Sequence, residues 1–318
     1  MLASCQANQW SVVDLDWSRR PREMSPADEI AIVQYFTDMS AIERLAGALF
    51  DEQQKRVTDE TLKEIFLTFV KDEVRHAQVA QMLADFYNVH RFRSYRTSES
   101  LDDFSKHFLR ALACVSDDIA NAYITAGELM LDIALLRSIN DFVDDDMSHA
   151  AMRLINRDES RHIAVDYHMA EVYSSPEYIA KLRKDQRPAL AQRARGWWTI
   201  AHLVWYGKPF FKDVFFQPME HVDPGGRRLR EAVRRFQLLG AKPAVAGGPF
   251  GKFIQVMYGL QAVYLHPIAG PLLARPISRL AGLEPRFLVQ LNTAEDLERA
   301  RQSSYSTMAE EALAAKMS

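Results

Sequence analysis

The chain has 318 residues, 48% hydrophobic and 25% charged, with a net charge of −3. That balance describes an ordinary soluble globular protein without low-complexity tracts, and it gives no support to general nucleic-acid binding. The start, MLASCQANQW, has neither a basic n-region nor an apolar h-region, so no secretory signal is expected; Cys5 and Cys114 lack metal or redox spacing, which suits free thiols in a cytoplasmic protein.

After an N-terminal arm, residues 1–24, the run Ser25-Pro26-Ala27-Asp28 is a helix cap with proline at the first helical position. It opens a helix that extends to about Gln54 and carries Glu43 within the apolar pattern AIERLAG. A polar stretch, Asp51 to Asp59, precedes a second helix from about Thr58 to Tyr87, which contains Asp72-Glu73-Val74-Arg75-His76. Asn88 to Ser100 is a crossover. A third helix starting directly after it would make the chain climb more than the roughly 3.4 Å per residue that an extended segment allows. Its start is therefore placed at Ser116, an N-cap followed by Asp117 and Asp118, and residues 102–115 become a helical part of the crossover. This helix carries Glu128 in ITAGELMLDIALL and is broken at Asp144-Asp145-Asp146-Met147-Ser148. A fourth runs from about Ser148 to Tyr173, contains Asp158-Glu159-Ser160-Arg161-His162, and stops before Ser174-Ser175-Pro176.

The doubled Asp-Glu-x-Arg-His motif carries the argument. A carboxylate and an imidazole three residues apart share one face of a helix. Two such pairs facing each other, with one more Glu from each of two other helices, form a di-metal carboxylate site. Glu73 follows Glu43 by 30 residues and Glu159 follows Glu128 by 31, each with a break near the midpoint, so both hairpins can bring their ligands to one depth. One motif alone would suit a surface ion-pair ladder; two copies with spaced partners do not. The expected fold is all-α: a ferritin-like four-helix bundle over residues 25–174, with a long crossover and a helical C-terminal extension, 175–318, packed on it.

Carboxylates are hard ligands, and one imidazole per metal leaves positions open, which suits iron or manganese better than zinc. Glu43, Glu73 and His76 are assigned to one metal and Glu128, Glu159 and His162 to the other, with Glu73 and Glu159 bridging. Asp158 is expected to orient His76, and Asp72 to orient His162. Arg75 and Arg161 would then neutralise the buried aspartates.

With these motifs the chain resembles the ferritin-like di-iron carboxylate oxidases and oxygenases over about residues 25–174. That group includes ribonucleotide reductase small subunits, bacterial multicomponent monooxygenases and acyl-carrier-protein desaturases. The resemblance implies two Fe ions (or a Mn/Fe pair) that activate O2 with electrons from a reductase or ferredoxin. Where ribonucleotide reductase small subunits carry a radical tyrosine, this chain has Ala80; where monooxygenases and plant-type desaturases place a threonine, it has Asp132 and Leu131. Where aryl-amine N-oxygenases add a histidine, it has Ile155, so no subfamily matches cleanly. The leading expectation is a hydroxylase or monooxygenase, with a desaturase, an N-oxygenase and a metal-storage protein as rivals.

Two further carboxylates fall on the ligand faces. Asp132 is a candidate catalytic proton donor or extra ligand; Asp166 is expected in an ion pair or salt-bridged helix end. Ala46, Gly47, Ala77 and Ala80 would leave room for a substrate or simply allow close packing. Tyr35, Tyr123 and Tyr167 are expected in the core, and the remaining histidines outside the site. In the extension, GWWTIAHLVWYGKPFFKDVFF is dense in aromatics and Phe253 to Ala274 lacks charged side chains. Both are expected as extra core, with peripheral membrane contact as the alternative. The clusters Lys181/Arg183/Lys184/Arg187 and Arg227/Arg228/Arg230/Arg234/Arg235 are expected as solvated helix faces. The alternative for them is an anionic partner such as a carrier protein or coenzyme A. A homodimer is a further candidate assembly.

Overall fold

The structure, a computed structural model, describes residues 1–184, 190–247, 249–273, 276 and 291–317. Among them there are helices and no strand, so the chain is all-α. A short helix α1 (Leu2–Ala7) is followed by α2 (Pro26–Arg56), α3 (Glu60–Tyr87), a crossover bearing α4 (Glu99–Leu112), and α5 (Asp117–Glu128). The last continues through a π-helical segment, Leu129–Leu136, into α6 (Arg137–Val143), and α7 (Asp146–Tyr173) returns antiparallel to it.

Local chemistry explains most boundaries. Ser25 caps α2 by accepting the Asp28 N–H at 3.2 Å, Pro26 sits in the first turn, and Lys55 and Arg56 occupy the last. Asp59 caps α3 through the Leu62 N–H at 2.8 Å. Asp144 turns the chain with φ 47°, and Asp145 then caps α7 through the Ser148 N–H at 2.8 Å, which starts that helix ahead of Ser148.

The π-helical segment was not visible in the sequence. Six of its eight residues are buried and only Met130 and Leu131 are partly exposed, so the run has too little solvent face for spacing to betray a wider turn. Each π turn adds a residue, so positions beyond Glu128 no longer follow the α-helical offsets used to place Asp132. This helix, Asp117–Val143, is also long and apolar enough to cross a membrane, yet 61% of its most apolar window is buried inside the protein.

The extension packs on these elements. Helix Arg227–Gly240 lies against the π segment, Tyr305–Met317 against α7, and Leu190–Phe210 against α4, where Phe104 and Phe210 stack at 4.3 Å. The arginine run 227–235 is only partly the expected solvated face: Arg227 and Arg230 are exposed, but the other three are tied into the fold. Arg228 is buried and bonds Asp141 at 3.0 Å, Arg235 reaches Glu311 at 3.1 Å, and Arg234 reaches Asn292 at 3.1 Å. These guanidiniums join helices rather than wait for a partner. The other basic cluster, apart from Lys181, falls outside the described side chains, as does the end of the apolar stretch at Ala274. Within the aromatic segment Phe210, Val214 and Phe215 are core, whereas Trp198 and Trp205 are exposed.

Candidate metal centre

Two apolar clusters, one around Tyr35, Phe36, Leu83 and the π segment, the other around Phe50, Phe66 and Phe69, leave a polar layer between them. α2 supplies Glu43 to it, α3 Glu73 and His76, the end of α5 Glu128, and α7 Glu159 and His162. Ligand atoms of Glu43, Glu73, His76 and Glu159 lie within 4.8 Å of one another, and so do those of Glu73, Glu128, Glu159 and His162. All six residues are buried, and Glu73 and Glu159 belong to both groups. Gly47 helps to set this spacing: a Cβ there would lie 3.1 Å from the Glu73 Cβ, so glycine lets α2 close on α3 at ligand depth. At this position close packing, rather than room for a substrate, explains the small residue.

The electrostatics show what the cluster lacks. Burial, with the Glu159 charge next, pushes Glu43 up to about 7, and the same two causes hold Glu73 and Glu128 well above the usual carboxylate range. Burial opposes protonation of the histidines, but the Glu159 charge and the outer aspartates outweigh it, raising His76 to about 10 and His162 to about 9. Glu159, buried as well, is held well below its ordinary value by His162 and His76. Protons thus balance a charge that cations would otherwise balance. The fit to such cations is geometric too. His76 Nδ1 lies 2.9 Å from Glu159 Oε1, and His162 Nδ1 lies 3.1 Å from Glu73 Oε1 and 2.9 Å from Glu159 Oε2. Yet neither Nδ1, neither Glu73 oxygen, nor Glu159 Oε2 has an aligned hydrogen-bond partner. Buried polar atoms without partners are costly, and a donor set of four carboxylates and two imidazoles converging in this way fits a pair of metal ions.

An outer layer faces the other imidazole nitrogens. Asp158 Oδ2 is 3.2 Å from His76 Nε2, and Asp72 Oδ2 is 3.5 Å from His162 Nε2. Arg161 Nη2 donates to Asp158 at 2.7 Å and to Asp72 at 3.2 Å, while Arg75 contacts Asp72 and reaches Asp158 at 3.5 Å. Each arginine meets both aspartates, so two charges of each sign close into a ring behind the histidines.

The N-terminal arm completes that ring. Trp10 Nε1 donates to Asp158 Oδ2 at 2.6 Å, its ring stacks on His76 at 6.4 Å, and Arg75 lies over its other neighbourhood at 5.3 Å from the ring centroid. Gln9 donates to Asp72 at 3.3 Å and accepts from Arg75 at 2.8 Å. Sequence reasoning missed both residues because it assigned the arm no contacts. The available signal was Trp10, Leu15 and Trp17, large apolar side chains in a mostly irregular arm, of which Trp10 and Leu15 are buried. Trp10→Phe keeps the ring and removes the N–H. It should weaken metal affinity on the order of tenfold, the effect of losing one outer partner of a ligand. A chelator-competition titration checks this, and unchanged affinity would show that the indole only fills space.

Beyond the ligands, Asp132 and Asp166 are fully buried. Asp166 departs from the expected ion pair: neither carboxylate oxygen has a hydrogen-bond partner among the described residues. Burial first, then the charges of Glu159 and Asp132 against the opposing His162, hold it well above the carboxylate range. Tyr35 and Tyr167 are core residues as expected, but Tyr123 is partly exposed. Phe69 and Phe50 wall His162 at 4.1 and 5.2 Å between ring centroids. His90, His149 and His221 pair with Glu29, Asp144 and Asp28, away from the cluster.

No protein-family model, curated protein or solved structure matches the chain. What fold and site define is an all-α protein with a buried carboxylate–histidine cluster able to hold metal.

Proposed function

We propose that residues 25–174 are a ferritin-like four-helix bundle holding two iron ions. On this reading the chain is an O2-dependent oxidoreductase, a hydroxylase or monooxygenase acting on an organic, partly apolar substrate. The observation that carries the proposal is the sharing of Glu73 and Glu159 between two ligand groups, each completed by one further Glu and one His. Bound iron would supply the reduction of O2, with electrons from a reductase or ferredoxin.

The chain's own residues do the rest. Asp158 accepts the Nε2 proton of His76, and Asp72 faces the Nε2 of His162 at 3.5 Å, so each Nδ1 is turned inward. Arg75 and Arg161 each contact both aspartates and balance their charge. Phe50 and Phe69 exclude water from the His162 side, and buried Asp166, whose surroundings favour its protonated form, is proposed to hold a proton inside the protein. Asp132, buried in the π segment, is the second acid proposed for that role.

Iron loading tests the reading. Reconstitution should give about two iron ions per chain. The reduced, loaded chain mixed with O2 should oxidise both without further uptake. Continued deposition of iron into a mineral core would make this a storage protein, and one zinc that resists replacement by iron would sink the redox proposal.

A further inference from the structure

α2, α3 and the crossover enclose a groove of about 660 Å³. Its charge is one-sided: Arg44, Arg91, Arg93 and Arg96 line it against the single carboxylate of Asp85. Arg44 and Arg91 form no ion pair or side-chain hydrogen bond among the described residues. Arg93 donates to Gln34 at 3.0 Å and lies over the Tyr95 ring, and the Arg96–Glu99 pair is exposed enough to exchange with solvent at little cost.

Polar residues line the groove beside the arginines, and three of them keep a buried polar atom without a partner among the described residues. Ser40 is 1% exposed and its hydroxyl has no hydrogen-bond partner. A mid-helix hydroxyl ordinarily bonds the carbonyl four residues back; Thr37 does so with Val33 at 2.7 Å, and Ser40 does not. The Tyr95 hydroxyl and Asn88 Oδ1, both groove-lining, are likewise buried without partners.

The strap that carries three of the arginines is fixed at both ends. Buried Glu29 accepts the His90 backbone N–H at 2.9 Å and lies 2.7 Å from its Nδ1; buried Asp38 accepts the Ser98 N–H and hydroxyl, each at 2.7 Å. Between these pins Arg91 is held at φ 51°, a left-handed conformation that costs a side-chain-bearing residue about 1 kcal/mol and glycine almost nothing. Arg91 thus lines the groove at the expense of local strain.

We propose that this groove binds the phosphate group of a small phosphorylated organic molecule. Guanidinium forks match phosphate oxygens in pairs, and four of them against one carboxylate suit a multiply charged anion. The volume lies in the small-molecule range of about 300–1,000 Å³ and leaves room beyond the phosphate for an organic portion. The groove is separate from the metal cluster, and its occupancy does not depend on the redox reading.

Calorimetric titration of the full-length chain with inorganic pyrophosphate, and separately with citrate, tests the assignment. One pyrophosphate should bind per chain, about tenfold tighter or more than citrate. Arg44→Gln and Arg91→Gly should each weaken it about tenfold, on the scale of losing one charge-assisted contact. Arg91→Gly should melt no lower than the parent, because glycine relaxes the backbone there, so its loss of binding cannot be ascribed to unfolding. Arg227→Gln, the same charge change on exposed surface elsewhere, should bind as the parent does, and so should Glu73→Ala. Undiminished binding by Arg44→Gln and Arg91→Gly, an equal loss in Arg227→Gln, or citrate binding as tightly as pyrophosphate would overturn the proposal. Loss of binding in Glu73→Ala would overturn it too, by placing the anion at the metal cluster.

Discussion

Glu159→Ala should empty both metal positions at once, whereas Glu43→Ala and Glu128→Ala should each spare one. Glu159 belongs to both ligand groups, while Glu43 and Glu128 each belong to a single one. Glu159 is also the charge on which the rest depends: it is the leading electrostatic influence on Glu43, Glu73, Glu128 and both histidines. Losing an outer partner costs about 10- to 100-fold in affinity, so losing a shared ligand should cost more than about 100-fold at both positions. The helices should survive. Most of the buried surface is apolar, in the two clusters flanking the site, and that burial rather than the metals dominates stability. Metal analysis after reconstitution, with circular dichroism alongside, separates the outcomes. A Glu159→Ala chain that keeps one tightly held metal would refute the shared-ligand reading, and one that unfolds would make the carboxylate structural.

The parts of this site that could be read from sequence are those set by short-range spacing. Glu73/His76 and Glu159/His162 share a helix face by the geometry of one turn, and Ser25 and Asp59 announce their helices through bonds to N–H groups three residues on. Equal hairpin arms then place Glu43 and Glu128 without knowledge of packing. The features that escaped depend on distant segments. Trp10 meets Asp158 across 148 residues, and no local pattern announces that contact. The π turns after Glu128 lie in a mostly buried apolar run, where period carries little information. Arg228, Arg234 and Arg235 look like a solvated face until Asp141, Asn292 and Glu311 are brought against them. Asp166 was misread for a related reason. Its spacing puts it one turn past His162, but only the packed structure shows that neither of its oxygens finds a hydrogen-bond partner among the described residues.

Without metal, the folded chain should lose stability as pH rises from about 5 to 9, and metal should remove or reverse that loss. Glu43, Glu73 and Glu128 ionise near 4.5 when unfolded but hold their protons higher when folded, Glu43 to about 7. Their contribution is complete below 4.5 and disappears as pH climbs through those raised values. The histidines act in the same direction: protonated to about 10 and 9 in the fold against 6.5 outside it, they add stability below 6.5 that is lost as pH rises through the folded values. Glu159 and Asp158 oppose this only in acid. Both are depressed, Asp158 to about 2, so what they contribute is present above the unfolded values and lost as pH falls. The folded state therefore binds more protons than the unfolded one across the neutral and alkaline range, and stability must fall with pH there, on the order of a few kcal/mol. Metal displaces those protons from the ligands, so its affinity rises with pH and it stabilises the fold most where the metal-free chain is weakest. Urea unfolding at pH 5, 7 and 9, with chelator and with Mn(II), provides the measurement. The midpoint should drop with pH in chelator and hold or rise in Mn(II); a metal-free midpoint that rises toward pH 9 would mean that the four glutamates ionise together without a counter-charge, and the cluster would no longer need metal to explain it.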